Sequence, residues 1–230
     1  MFIGHYGVAF AAKTVAPRVP LGVTFIAVQL LDVMFSLLVF AGIERMRIVP
    51  GFTQYNPYAL DFMPYTHGLA GALGWSAAGG AVWFLARRST REALVVAGAV
   101  FSHFILDVPM HTPDLPLLGG NSYKLGLGLW NHWPWAVALE LAVLLGGWAL
   151  WMVWRGERPR RREIVFLLVL VALTLATPFM PVPSSAGAFG VQALVSYVVL
   201  AVLAQMTEAG SPQYIISAAG HPMSQARRRN

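Results

Sequence analysis

Cysteine is absent from the 230 residues, which excludes a disulfide framework, a thiolate-held metal and a catalytic thiol. Any metal bound by this chain must take nitrogen and oxygen ligands. Charge is scarce as well. Asp, Glu, Lys and Arg make up 11% of the sequence, against about 25% in ordinary soluble domains. A basic stretch ahead of the first apolar run is also missing, because the chain opens MFIGHYGVAFAAKTVAPRVP; a cleavable signal peptide is therefore not expected.

Long apolar runs fill the space that charge leaves, and hydrophobic residues reach 57%. Crossing a bilayer takes roughly 20 mostly apolar residues in a helix, and six segments qualify: 21–43, 65–86, 92–109, 134–154, 163–180 and 188–206. Residues 2–16 form a shorter apolar prelude, read as an interfacial or re-entrant helix. The expected fold class is all-α: a polytopic transmembrane helical bundle of about six spans plus a short N-terminal helix. Residues 1–206 form one integral membrane domain, and 207–230, rich in Gly, Ser, Pro and arginine, read as a mobile cytoplasmic tail. The bilayer is the expected partner.

The formal net charge of +6 does not point to nucleic acid, because the basic residues sit in short blocks flanking the apolar runs. Lys13 and Arg18 precede the first run. Arg87, Arg88 and Arg91 separate the second from the third, Arg155 to Arg162 lie between the fourth and fifth, and Arg227 to Arg229 follow the sixth. Six crossings bring all four blocks to one side. By the positive-inside rule both termini are expected in the cytoplasm, with loops 44–64 and 110–131 facing outward from a bacterial inner membrane. Glycines in 65–86 read as close helix packing. Trp130, Trp133 and Trp135 read as an interfacial belt.

Ionisable residues inside apolar spans are costly and need a reason. His103 and Asp107 are four apart, one turn along one helix face. His67 opens the second span at its outer end, so the topology brings His67, His103 and Asp107 to similar depth, with Asp32 deeper in the first span but within reach of His103. Imidazole and carboxylate ligands suit a divalent ion, with zinc, manganese and iron all open. A hydrogen-bonded packing cluster or a proton relay stands beside that reading. His111 and Asp114 come after Pro109 and are expected in an outward loop at the mouth of the site. Together with Glu140, inside the fourth span, they are the candidates for a general base. Asp61 and Tyr65 are candidates to support His67 from behind.

The pieces Gly4-His5, Asp32, Thr66-His67 and Ser102-His103 with Asp107, in that order, resemble the YdjM-like membrane-bound metal-dependent hydrolases of bacteria. The resemblance covers the first half to two-thirds of the chain. It implies a helical fold with metal between helices, a ligand set of His5, Asp32, His67, His103 and Asp107, and, by distant analogy, phosphoester hydrolysis of a phosphorylated or lipid-linked substrate. Where the family carries PDxD, this chain has Leu31-Asp32-Val33-Met34, and a further family histidine falls at Phe62. The missing groups imply at most one ion. A non-enzymatic accessory subunit or small transporter is the alternative. The absence of an internal repeat weighs against transport.

Overall fold

A computed structural model describes residues 1–209, and the stretch expected to be a mobile tail lies, from residue 210 onward, outside the described residues. Among the described residues, eight α-helices form the fold: α1 (His5–Val15), α2 (Leu21–Val28), α3 (Leu30–Phe40), α4 (Leu69–Arg87), α5 (Thr90–Met110), α6 (Trp133–Arg155), α7 (Arg161–Ala176) and α8 (Ala186–Glu208). Five stretches among the described residues are long and apolar enough to cross a membrane, and α2 with α3 make a sixth if that bent pair is one span. The chain is an all-α polytopic helical bundle, with α8 running two residues past the expected boundary at 206.

Helix α5 is the centre. Val96, Val100, His103, Phe104, Asp107 and Met110 are buried along it at helical spacing, so one stripe carries both core packing and the two ionisable groups. Ser89 caps its start by accepting the Glu92 N–H, a standard use of serine at this position. Helix α4 lies beside α5 at close range: a side chain on Gly80 would meet Ala93 O and Ala97 Cβ at 3.0 Å. Small residues permit that approach where lipid provides no hydrophobic drive between helices.

The first span is not continuous. It breaks at Gln29, and α2 and α3 diverge by 55°. Gln29 leaves the helical region (φ −108°, ψ 6°), and its side-chain amide donates to Phe2 O at 2.9 Å. Two consequences matter for the site. Asp32 falls in the first turn of α3, and the Val28 carbonyl at the break is free to accept a side chain.

The prelude also departs from expectation. Helix α1 is not interfacial but buried in the bundle, with His5, Tyr6, Gly7, Ala9 and Phe10 all inside. It docks on α6 through two glycines. A Cβ on Gly7 would stand 2.0 Å from Val143 O, and one on Gly147 would stand 1.9 Å from Gly7 O. The backbones therefore touch, and no side chain fits between them.

The connections sort by end. The basic loops 88–89 and 156–160 lie at one end, and the long loops lie at the other. There β1 (Arg45–Ile48) and β2 (Tyr58–Phe62) form an antiparallel hairpin, and β3 (Leu115–Pro116) pairs with β4 (Lys124–Leu125). Tyr55 N donates to Trp130 O at 3.0 Å and Ala70 N to Leu117 O at 3.0 Å, tying these loops into one cap over the bundle.

Gly147→Ala should lower stability by about 1–3 kcal/mol, the usual cost of overfilling a packed contact. Thermal unfolding in detergent of this variant beside Gly146→Ala, where nothing stands within 4 Å of the new methyl, checks the expectation; equal midpoints would contradict it.

Candidate metal centre

Beneath the loop cap, four of the six histidines in the sequence and two aspartates converge. All five residues expected as ligands, His5, Asp32, His67, His103 and Asp107, are in this cluster. Two overlapping triads, His5/His103/Asp107 and Asp32/His67/His103, have ligand atoms within 4.8 Å of one another.

Three of the four histidines are oriented from behind. His103 Nδ1 stands 2.7 Å from the Val28 carbonyl released by the helix break, and a carbonyl only accepts, so Nδ1 carries the proton. His67 Nδ1 stands 2.9 Å from Thr66 Oγ1. The Thr66 hydroxyl donates its one proton to Glu44 Oε2 at 2.6 Å, so His67 Nδ1 must be the donor in that contact. Glu44 is fixed in turn, its Oε1 accepting the N–H groups of Tyr65 and Thr66 at 2.8 and 3.0 Å. His111 Nδ1 donates to Asp114 Oδ1 at 2.9 Å, and Asp114 Oδ2 accepts the Thr112 hydroxyl at 2.8 Å. These partners fix the tautomers.

With Nδ1 committed three times over, a neutral ring at each position leaves Nε2 without a proton. All three Nε2 atoms face carboxylate oxygens, that of His67 within hydrogen-bond reach of Asp32. His67 Nε2 lies 3.2 Å from Asp32 Oδ1 and 3.8 Å from Asp107 Oδ2. His103 Nε2 lies 3.6 Å and 3.1 Å from the same two oxygens. His111 Nε2 is 3.4 Å from Asp107 Oδ2. Lone pairs set against anionic oxygens in a buried site repel unless a cation lies between them. His103 Nε2 has no hydrogen-bond partner despite full burial, which favours an ion over a shared proton.

The spacing fits as well. Ligands about 2.0–2.1 Å from a tetrahedral ion are about 3.3 Å from one another. The four distances linking Asp32 Oδ1, His67 Nε2, His103 Nε2 and Asp107 Oδ2 run from 3.1 to 3.8 Å. Backbone-carbonyl and hydroxyl support behind ligating imidazoles is the usual outer arrangement of such sites. The cluster can hold a divalent ion. Because His103 offers a single bare nitrogen, the two triads cannot both use it at once. His5 stacks on the His103 ring (4.0 Å between centroids, 14°) and brings Nε2 to 3.3 Å from Asp107 Oδ1. The other approach to that oxygen is taken by the Met1 nitrogen at 2.7 Å.

A cavity of about 310 Å³ opens onto this cluster. Asp32, His67, Asp107 and His111 line it, whereas His5 and His103 lie behind. Comparison with family models, curated proteins and solved structures returned no match for this chain.

Several placements differ from the sequence expectation. His111 is not in an exposed loop: α5 runs through Pro109 to Met110, and His111 is 2% exposed. The GLGLWN segment folds back over it, with Gly128 N donating to His111 O at 2.7 Å. Gly126 makes the return possible, because its φ of +146° and a 2.0 Å approach to Thr112 O leave no room for a side chain. Trp130 is likewise buried and lies 4.1 Å from the His111 ring instead of joining an interfacial belt; Trp135, 70% exposed, does suit one. Asp114 supports His111, while Asp61 and Tyr65 do not support His67. Asp61 is bound by Arg47 through two 2.8 Å contacts, whose hydrogen bonds hold its carboxyl below the ordinary value, and Tyr65 points out, 53% exposed.

Glu140 is buried and fully used. It accepts Gly4 N at 2.9 Å, Phe2 N at 3.3 Å and the Tyr55 hydroxyl at 2.8 Å, so it anchors the start of α1 and the loop cap. Sequence reasoning missed Glu44 and Tyr197, whose hydroxyl donates to Asp32 Oδ2 at 3.0 Å. Neither has a local signal: Glu44 is 22 residues from Thr66 and Tyr197 is 165 from Asp32.

Glu140→Ala strands two backbone donors and a buried phenol and should lower stability by about 3 kcal/mol, read as a lower thermal midpoint and faster proteolysis near the N-terminus. An unchanged midpoint would contradict the anchoring role and return Glu140 to the candidates for a base.

Proposed function

We propose that this chain is a membrane-embedded, metal-dependent hydrolase of the YdjM-like kind, residing in a bacterial inner membrane with its basic loops and the C-terminal end of α8 on the cytoplasmic side. The chain start, whose Met1 nitrogen meets Asp107 beneath the loop cap, lies toward the opposite end, against the expectation that both termini are cytoplasmic. The observation that carries the reading is the set of three imidazoles with Nδ1 committed and Nε2 aimed at two carboxylates, Asp107 buried and Asp32 largely so, beside a cavity. Asp32, His67, His103 and Asp107 hold one divalent ion, zinc being the best match to the spacing and the donor set. His5 braces His103 and Asp107 from behind the ion. The ion supplies Lewis acidity to the bond being broken.

His111 is the general base. His111 lines the cavity, and Asp114 fixes the tautomer and stabilises the imidazolium that forms on proton transfer, as a carboxylate does behind a catalytic histidine. Tyr197 and Thr66 position Asp32 and His67. Asp114 thus acts through His111, and Glu140 acts on the fold. A proton-relay role is less well supported. The polar chain ends at His5 and His103, and the packing beyond them along α1, α2 and α5 is Tyr6, Phe10, Phe25 and Val100, part of the main apolar core.

Elemental analysis of purified protein tests the reading. Wild type should carry about one divalent ion per chain, and His103→Ala and Asp107→Ala should carry almost none; no ion in any of them, or equal ion in all three, would sink it. His111→Ala should keep the ion and lose about 10²–10⁴-fold in turnover on a panel of long-chain esters and phosphoesters. Thr66→Val should weaken the ion by about 10–100-fold in competition with a chelator, the usual effect of removing an outer partner.

A further inference from the structure

The cavity in front of the candidate metal centre has a chemical character that bears on what enters it. Among the described residues, no lysine or arginine lines it. The basic residues at this end, Arg45, Arg47 and Lys124, lie on β1 and β4, and Arg47 is bound to Asp61. The Met1 nitrogen, which does reach the cavity, is engaged by Asp107 at 2.7 Å. The floor supplies two carboxylates, which balance the charge of one divalent ion and leave the Met1 ammonium, held by Asp107, as the one further cation among the described lining residues.

An anionic phosphate entering this space meets, beyond the ion itself, only the Met1 ammonium that Asp107 already engages, and burying its remaining charge without a further partner is costly. Sites that cleave phosphoesters clamp the phosphate with arginine, lysine or further metal ions. The walls are instead Phe2, Phe35, Leu60 and Phe189, with uncharged polar groups at Asn56 and Gln192. Gln192 and Ser196, which line the cavity, belong to α8, a candidate span, and Gln192 is exposed. One wall of the cavity is therefore a candidate span, which places the opening beside a helix suited to the bilayer and within reach of an acyl chain.

Resting on the hydrolase reading above, we infer that the substrate is an uncharged long-chain carboxylic ester drawn from the membrane, not a phosphoester. Water adds to the carbonyl carbon as its proton passes to His111 Nε2. The bond from that carbon to the alcohol oxygen then breaks, His111 returns the proton to the leaving oxygen, and the products are a fatty acid and a free alcohol. This departs from the phosphoester chemistry that the family resemblance implies.

The test uses the full chain with its ion content measured, in phosphatidylcholine nanodiscs, supplied with monoolein or with oleoyl lysophosphatidate. The second probe carries the same acyl ester plus a phosphomonoester, so its products report which bond is cut. Oleate should form from monoolein at least about tenfold faster than from lysophosphatidate, since an unpaired charge is strongly rejected by a site with no partner for it; no inorganic phosphate should appear. Monoolein should also raise the thermal midpoint, and glycerol phosphate should not. Gln192→Arg, which sets a cation at the mouth, should narrow the preference.

Release of inorganic phosphate, or a preference for lysophosphatidate, would overturn the ester assignment and leave the hydrolase reading standing. Turnover of neither probe by ion-loaded protein, with no response on the wider ester and phosphoester panel, would overturn both.

Discussion

Two carboxylates inside an apolar bundle are the constraint on which the rest depends. Asp32 and Asp107 are buried or nearly so, and a bare anion in such surroundings is intolerable without compensation. The bundle answers with imidazoles, three of them turned so that an unprotonated nitrogen faces the acids. That arrangement trades one electrostatic problem for another and is stable only with a positive charge at its centre. The outer partners, Val28, Thr66 with Glu44, and Asp114, are what make the arrangement rigid, since each removes the alternative tautomer that would let a histidine donate to the carboxylate instead.

The architecture exists to deliver those partners. A straight first span would use the Val28 carbonyl within its own helix, and the break at Gln29 releases it for His103. The glycine contact between α1 and α6 lets an 11-residue helix sit inside the bundle, so that His5 lies against His103. Glu140 fixes that helix by gathering the N–H groups at its start, where a carboxylate is favoured by the helix dipole. The return of residues 126–131 buries His111 and places Trp130 over it. Structure in the cap and structure in the spans thus meet at one small cluster.

Much of this was legible in the sequence. The spans were, because runs of about twenty apolar residues leave few alternatives, and their ends fell within a few residues of the helices observed. The cluster was legible in outline: Asp32, His67, His103 and Asp107 stand out because charge is rare in such runs. The break at Gln29 was not, since glutamine is a good helix former and no proline or glycine marks the position. His111 was misplaced because Pro109 reads as a helix end, whereas the helix continues one residue past it and a distant glycine-rich segment covers His111. Glu44 and Tyr197 depend on contacts between segments far apart in the chain, which no local pattern encodes.

The central claim is that an ion is coordinated by imidazole and carboxylate from the first, second and third spans. X-ray absorption at the metal edge of the purified, loaded protein addresses it most directly. A first sphere of nitrogen and oxygen alone at about 2.0–2.1 Å is expected, with the outer scattering of two imidazole rings, and loss of that imidazole signal in His67→Ala with His103→Ala. A hydrated ion with no imidazole scattering, or a spectrum unchanged in the double variant, would contradict it.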